Sequence, residues 1–186
     1  MNQFLKLISN ILYKASFFEL KEDIIKHKNI KYRREYIVHP PAVGIIPVLP
    51  DSRIVMVEQY RDVNNLWSLE IPAGKVEKEE KLEQACIREL EEETGFRPGK
   101  LTKLFGYYPT IAYSTETITI FLATELKRGK QNPERDEFIK LKILSLSEIL
   151  DKIYKNEISD AKTMLAILFY KNVFLKGKNN GKTFRL

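Results

Sequence analysis

The chain has 186 residues, enough for one domain with a buried core plus an arm and too few for two full-sized domains. Hydrophobic residues make up 44% and charged residues 30%, with 8 Gly and 8 Pro, which excludes collagen-like, low-complexity and disordered classes. The formal charge of +6 is unevenly placed: Lys21, Lys26, Lys28, Lys31, Arg33 and Arg34 on one side and Lys171, Lys176, Lys178, Lys182 and Arg185 on the other flank an acidic block from Glu77 to Glu93. That order reads as a cation site in the middle with basic surfaces at the ends, and it disfavours nucleic acid as a partner. The single cysteine, Cys86, can close no internal disulfide and build no cysteine cluster for zinc, so a cytoplasmic, reducing setting is expected.

In chain order, Phe4, Leu5, Ile8, Ile11 and Leu12 fall at helical spacing and predict an amphipathic helix that packs on the domain or on a partner subunit. The opening segment lacks the long apolar region of a secretory signal, and no stretch reaches the roughly 18 apolar residues that span a bilayer, so no membrane partner is expected. Residues 17–38 alternate loosely and end at His39-Pro40-Pro41, which forces an extended linker. This divides the chain into an arm over 1–39 (helix, then strands), a main domain over 40–175 and a polar tail over 176–186. Residues 42–48 and 54–60 are short β-branched runs on either side of Leu49-Pro50-Asp51-Ser52-Arg53 and predict a hairpin; residues 67–71 predict a further strand. A helix is expected from residue 79 or 80 to Thr94, with Gly95 as its left-handed cap. Residues 101–108, 116–126 and 138–143 return to extended character. Ser145-Leu146-Ser147-Glu148 is a capping box opening a helix to about Tyr154, and Ser159-Asp160 starts another through Tyr170.

The central helix carries its charges in an unusual place. At about 100° per residue, Leu82, Ala85, Cys86, Ile87 and Leu90 share one broad arc, and Glu89 and Glu93 lie inside it. Glu92 stands at its edge, whereas Lys81, Gln84, Arg88 and Glu91 take the solvent-facing side. Two carboxylates one turn apart repel and are costly to desolvate unless a cation neutralises them. The alternative is a salt-bridged surface helix. Oxygen ligands, with His27 and His39 isolated elsewhere, suit Mg²⁺ or Mn²⁺ better than zinc, and Cys86 reads as a small packed hydrophobe.

The stretch from Gly74 to Glu80, followed by Arg88-Glu89-Leu90-Glu91-Glu92-Glu93-Thr94-Gly95-Phe96, fills the pattern Gly, five residues, Glu, seven residues, Arg-Glu-apolar-x-Glu-Glu-x-Gly-apolar. On these residues the chain resembles the Nudix hydrolase superfamily. The resemblance implies an α/β/α sandwich with a mixed β-sheet, here with an N-terminal β-rich arm, in which a loop-helix-loop holds divalent cations against a diphosphate attacked by water. It implies Glu89 and Glu93 as metal ligands, Glu92 as a ligand or orienter of a second metal or its water, and the Ala73 carbonyl as a further ligand. Glu80 and Arg88 would pair to hold the loop on the helix, while Gly74 and Gly95 would serve as backbone positions.

Val57-Glu58-Gln59-Tyr60-Arg61 and Leu69-Glu70-Ile71-Pro72-Ala73-Gly74 are similar to the ADP-ribose pyrophosphatase branch of that superfamily, a likeness spanning roughly residues 36–170. It implies Arg61 as a phosphate clamp, against the alternative of a surface ion pair. Trp67 and Glu70 would lie where nucleobase or ribose contacts arise, with a core-packing Trp67 as the alternative. The branch implies a homodimer through exchanged N-terminal arms, and a catalytic carboxylate on a loop that here reads Pro133-Glu134-Arg135-Asp136-Glu137-Phe138. Glu137 matches best as a metal-linked or base carboxylate and Glu134 second, the alternative being solvated loop charges. Where the branch commonly has Ser-Pro-Gly, this chain has Thr110-Ile111-Ala112. The function implied is Mg²⁺-dependent hydrolysis of ADP-ribose or a related nucleoside diphosphate sugar, giving AMP and ribose 5-phosphate from ADP-ribose. Alternatives are a pyrophosphatase that removes oxidised nucleotides and a non-catalytic nucleotide- or RNA-binding module.

Overall fold

The computed structural model describes residues 4–133 and 137–175, and these fall into two units: residues 1–41 with 107–117, and residues 42–106 with the chain from 118 onward. The first unit is an antiparallel sheet of β1 (Leu5–Lys14), β2 (Glu19–His27) and β3 (Ile30–Val38), in that order. Loop 107–117 groups with this sheet through the bridge between Ile37 and Ser114 and the bond from the His39 N–H to Thr115 Oγ1 at 3.0 Å.

The segment expected as an amphipathic helix is therefore a strand. Its register against β2 slips between Lys6 and Ile8 and again between Ile11 and Tyr13, so one extra residue is inserted at each place. Two bulges stretch a period of two toward three at those points, and the apolar spacing then imitates one face of a helix. Every residue of β1 is exposed within the single chain.

The second unit contains β4 (Ala42–Pro47), β5 (Ile54–Arg61), β6 (Leu66–Glu70), β7 (Ala73–Lys75) and α1 (Leu82–Thr94). It continues with β8 (Phe96–Arg97), β9 (Lys100–Tyr107, whose last residue belongs to the first unit), β10 (Ile118–Thr124), β11 (Lys127–Arg128), β12 (Ile139–Leu144), α2 (Leu146–Tyr154) and α3 (Ala161–Phe169), which runs into a π-helical turn at Tyr170–Leu175. One mixed sheet has the order β7-β4-β10-β9 with β4 and β10 parallel; an antiparallel sheet has the order β12-β5-β6, and β8 pairs with β11. The fold class is mixed α/β.

The expected hairpin of residues 42–60 does not form as a ladder. Strands β4 and β5 belong to different sheets and meet only at the isolated bridge Val48–Ile54. The reason lies in their composition: all of β4 is buried and β5 is buried from Ile54 to Val57, as expected of interior strands, so each takes partners on both sides. The partner β10 arrives late in the chain, and local turn residues carry no trace of it.

Val43 and Ile45 of β4, Val55 of β5 and Phe121 and Ala123 of β10 pack with Ala85, Cys86 and Leu90 of α1 in one core. Burial pushes the Cys86 thiol well up, which makes it a packing group. The helix starts later than its acidic run suggests. Glu79 has a left-handed backbone (φ 67°) and the Glu80 N–H bonds to the Glu77 carbonyl at 3.1 Å, so residues 77–80 are a turn that leaves the Glu80 side chain free to act outside the helix. Gly95, at φ 71°, ends α1, and its N–H bonds to the Glu91 carbonyl at 2.8 Å. The caps of the last helices follow the sequence reading: Ser145 accepts from the Glu148 N–H, and Asp160 from the Thr163 N–H.

Candidate active site

Two groups of charged side chains stand on α1 and on the strands before it. The first is held by Arg88. Its Nε and Nη2 donate to the two oxygens of Glu80 at 3.0 Å each, Nη2 also donates to the Lys75 carbonyl at 2.9 Å, and Nη1 donates to Glu89 at 2.7 Å and Glu92 at 3.2 Å. Glu80 in turn accepts from the Glu77 N–H at 2.9 Å. Arg88 thus ties the loop after β7 to the helix, and it is half-buried rather than solvent-facing as the helical arc suggests. The surrounding carboxylates push its guanidinium up, with Glu80 the largest influence, so it stays charged throughout.

Glu89 and Glu93 sit on the inner side of α1. The Glu93 carboxylate accepts from the Ala73 N–H at 3.2 Å and is 2% exposed as a residue. Gly74 lies so close to Glu89 that a Cβ there would fall 2.0 Å from the carboxylate carbon, so a side chain at this position would displace that carboxylate. Burial is the main cause that raises Glu89 to about 7; Arg88 opposes it, and the charges of Glu92 and Glu137 add to it. Glu93 is raised well above the ordinary carboxylate range, first by burial and then by Glu89 and Glu137, against the Ala73 N–H and Lys162. Glu137 therefore lies within electrostatic reach of both helix carboxylates, whereas Glu134 lies outside the described residues. Among the described residues, no three His, Cys, Asp or Glu side chains stand together as a finished metal shell. Glu89 and Glu92 are turned toward Arg88 and Glu93 toward Ala73, so the acidic groups share a region without converging on a point.

The end of α1 is held by the chain that precedes Glu137. The Glu92 carbonyl accepts from the Asn132 N–H at 2.9 Å, the Glu93 carbonyl from the Gln131 side chain at 2.7 Å and the Gly95 carbonyl from the Gly129 N–H at 2.6 Å. These bonds satisfy carbonyls that a helix end leaves open.

The second group centres on Glu70. Arg61 spans it, Nε to Oε1 at 2.8 Å and Nη2 to Oε2 at 2.6 Å, and Lys162 bonds the same Oε2. Lys162 also pairs with Asp160 at 3.1 Å. Asp160 accepts from the Thr163 hydroxyl at 2.6 Å, and Thr163 Oγ1 accepts from the Ile71 N–H at 2.9 Å. The start of α3 is thereby fastened to the strand end that leads into Ala73 and Gly74. Burial alone would raise Glu70, but Arg61, by hydrogen bond and charge, and Lys162 hold it down to about 2. Arg61 and Glu70 are thus brought together, with Lys162 and Asp160 as partners that the sequence reading missed; the only local signal was the helix start at Ser159-Asp160. Trp67 is 45% exposed and does not pack in the core, which corrects that alternative. Its ring meets Tyr60 at 5.6 Å and carries the Lys140 ammonium 3.8 Å from its centre.

Fold and site together define a mixed α/β protein whose acidic helix is backed by a glycine-bearing loop. The NUDIX domain matches residues 38–166. Among proteins similar in sequence, the ADP-ribose pyrophosphatase of Bacillus subtilis strain 168 is 37% identical over 150 residues, covering 80% of this chain and 81% of that protein. The methanol dehydrogenase activator of Bacillus methanolicus is 38% identical over 140 residues, covering 74% of this chain and 75% of its own. A crystal structure of an ADP compounds hydrolase superposes with a TM-score of 0.82 over 98% of both chains at 20% identity, a likeness of fold. The chain belongs to the NUDIX family, whose hydrolases generally use a divalent metal.

Proposed function

We propose that the protein hydrolyses the pyrophosphate bond of ADP-ribose or a related nucleoside diphosphate sugar with Mg²⁺, Mn²⁺ being a possible substitute. Water adds to one phosphorus, the bridging P–O bond breaks, and ADP-ribose yields AMP and ribose 5-phosphate. The observation that carries this reading is the inner face of α1: two buried carboxylates, Glu89 and Glu93, have too few cations of their own beside them, next to a backbone kept bare at Gly74. Similarity to the Bacillus subtilis pyrophosphatase supports the substrate class.

The donor set fits a hard divalent cation, because oxygen ligands predominate and burial makes neutralisation favourable. Glu89, Glu93, Glu92, Glu137 and the Ala73 carbonyl would hold it. When bound, such a cation withdraws charge from the diphosphate and acidifies water. The protein's own work is done by three groups. Arg61 orients the diphosphate with a planar donor fork. Glu137 accepts the proton of the attacking water, with Glu134 as the second candidate. Glu80 and Arg88 keep the loop and its glycine in register with the helix.

The arm supports a homodimer, since β1 lies at the edge of its sheet with Leu5, Leu7, Ile8, Ile11 and Leu12 exposed. No helix among the described residues is long and apolar enough to cross a membrane, and the buried, unpaired Cys86 suits the cytoplasm. A panel of nucleoside diphosphate sugars and oxidised nucleoside triphosphates, with Mg²⁺ and product identification, tests the substrate class. AMP and ribose 5-phosphate from ADP-ribose are expected; turnover of the triphosphates alone would overturn the reading.

A further inference from the structure

We propose that Asp23 sets the register of β1 and thereby decides which side chains the arm offers to a second copy; only the second half of this rests on the reading of the arm as a dimer surface. Among the described residues of the first unit, Asp23 is the single buried one, at 3% exposure, while Leu5, Leu7, Ile8, Ile11 and Leu12 of β1 are all exposed. An aspartate inside a sheet that leaves its leucines outside reverses ordinary burial. A buried ion pair contributes little to stability, since desolvation offsets its attraction, and its best-attested use is to choose between registers of similar energy.

Strand β1 needs such a choice. Its apolar residues occur on both faces, Ile8 opposite Ile24 on one and Ile11 opposite Lys21 on the other, so a slip exchanges one apolar set for another and hydrophobicity does not discriminate. Lys6 and Ser9 are three residues apart, and in a regular strand they would point to opposite faces. The bulge between Lys6 and Ile8 changes this. Before it Lys6 stands opposite Ile25, and after it Ser9 stands opposite Asp23, so both lie on the face that Asp23 shares with Ile25. The Lys6 ammonium meets Asp23 Oδ2 at 2.5 Å and donates to the Tyr36 hydroxyl at 3.3 Å, so the cluster ties β1, β2 and β3 together. Burial works against the charge of Asp23, yet Lys6, and then Ser9 and Tyr36, hold its carboxyl below the ordinary carboxylate range. If the register after the bulge ran on unbroken, Lys6 would face Lys26, like charge against like. The bulge also places Leu5 opposite Lys26 and Ile8 opposite Ile24, which gathers both apolar side chains on the other face. The carboxylate thus selects the extra residue, and the extra residue assembles an apolar face.

Disulfide trapping in the full chain tests this, because neighbouring positions on β2 point to opposite faces and a thiol at position 5 reaches only one of them in a given register. Leu5→Cys with Lys26→Cys reports the bulged register, and Leu5→Cys with His27→Cys the slipped one; Cys86 is buried and stays out of the exchange. With Asp23 in place, the first pair is expected to oxidise and the second to stay reduced. With Asp23→Leu added, oxidation of the second pair is expected to rise by about tenfold, the weight of a hydrogen bond to a charged group, while the melting temperature holds or rises. An Asp23→Leu chain in which the first pair still closes alone would overturn the proposal, even if melting fell, since the ion pair would then support the sheet without choosing its register. So would a first pair that fails to close with Asp23 present. If Asp23→Leu does not fold, Asp23→Asn serves the same comparison. In sedimentation, Asp23→Leu without added cysteines is expected to self-associate more weakly than the native chain. A native chain that sediments as a monomer would end the dimer reading, a separate failure, because the cross-links judge the register in any assembly.

Discussion

Glu70 and Glu89 belong to the same unit and are both largely buried, yet one is held down to about 2 and the other lifted to about 7. The difference lies in the company each keeps. Glu70 receives a guanidinium fork and an ammonium, a neutralised cluster that the chain completes from its own side chains. Glu89 shares one arginine with Glu80 and Glu92 and faces the charges of Glu93 and Glu137. Burial of an acid is therefore no sign of function by itself; an acid buried beyond the reach of enough positive charge is.

The contrast can be broken most forcefully at Glu70. Glu70→Ala leaves Arg61 and Lys162 facing a hole and is expected to cost about 3–5 kcal/mol in denaturant unfolding, the usual effect of removing one partner of a buried ion cluster. On the α1 side the same kind of change should relieve the fold and injure the chemistry. Glu93→Gln is expected to keep or raise the melting temperature of the metal-free protein while turnover falls roughly 10²- to 10³-fold, the scale of losing one preorganised electrostatic group. Normal turnover in Glu93→Gln would show that the inner face of α1 holds no functional cation.

The two acids should also give opposite slopes of stability against pH. Glu89 is raised in the fold, so between about 4.5 and 7 the unfolded chain releases its proton first and stability falls as pH rises, by roughly 3 kcal/mol in total. Glu70 is depressed, so its contribution is complete above about 4.5 and is lost as pH falls toward 2. Glu93 acts in the same sense as Glu89. On the proposed reading Mg²⁺ would bind the deprotonated acids, so it should raise the melting temperature more at pH 8 than at pH 5, by about 2–3 kcal/mol of stability near a hundredfold excess over its dissociation constant. An equal shift at both pH values would place the ion elsewhere.

The acidic helix was legible because its evidence is local: a 3.6-residue period, a glycine at each end of the motif and carboxylates inside an apolar arc. The pairing of Glu80 with Arg88, which only the family resemblance implied, lies in the same short stretch. What escaped was set by distant partners or by irregularity. The edge strand β1 imitates a helix through its two bulges, and β4 and β5 resemble a hairpin because nothing near them announces β10 or β12. Lys162 stands 92 residues beyond Glu70, and no periodicity links them. For Trp67 only the core-packing alternative fails: a large apolar residue usually packs inside, and this one lies under a lysine on the surface.

Because Thr163 receives the Ile71 N–H and Lys162 holds Glu70, the last helix acts as a rivet for the segment that leads into the glycine-bearing loop. A chain cut short before Asp160 would retain every acidic residue of the motif and still lose the fastening that sets their backbone. Shortening the protein from its far end therefore threatens the chemistry before it removes any group that performs it.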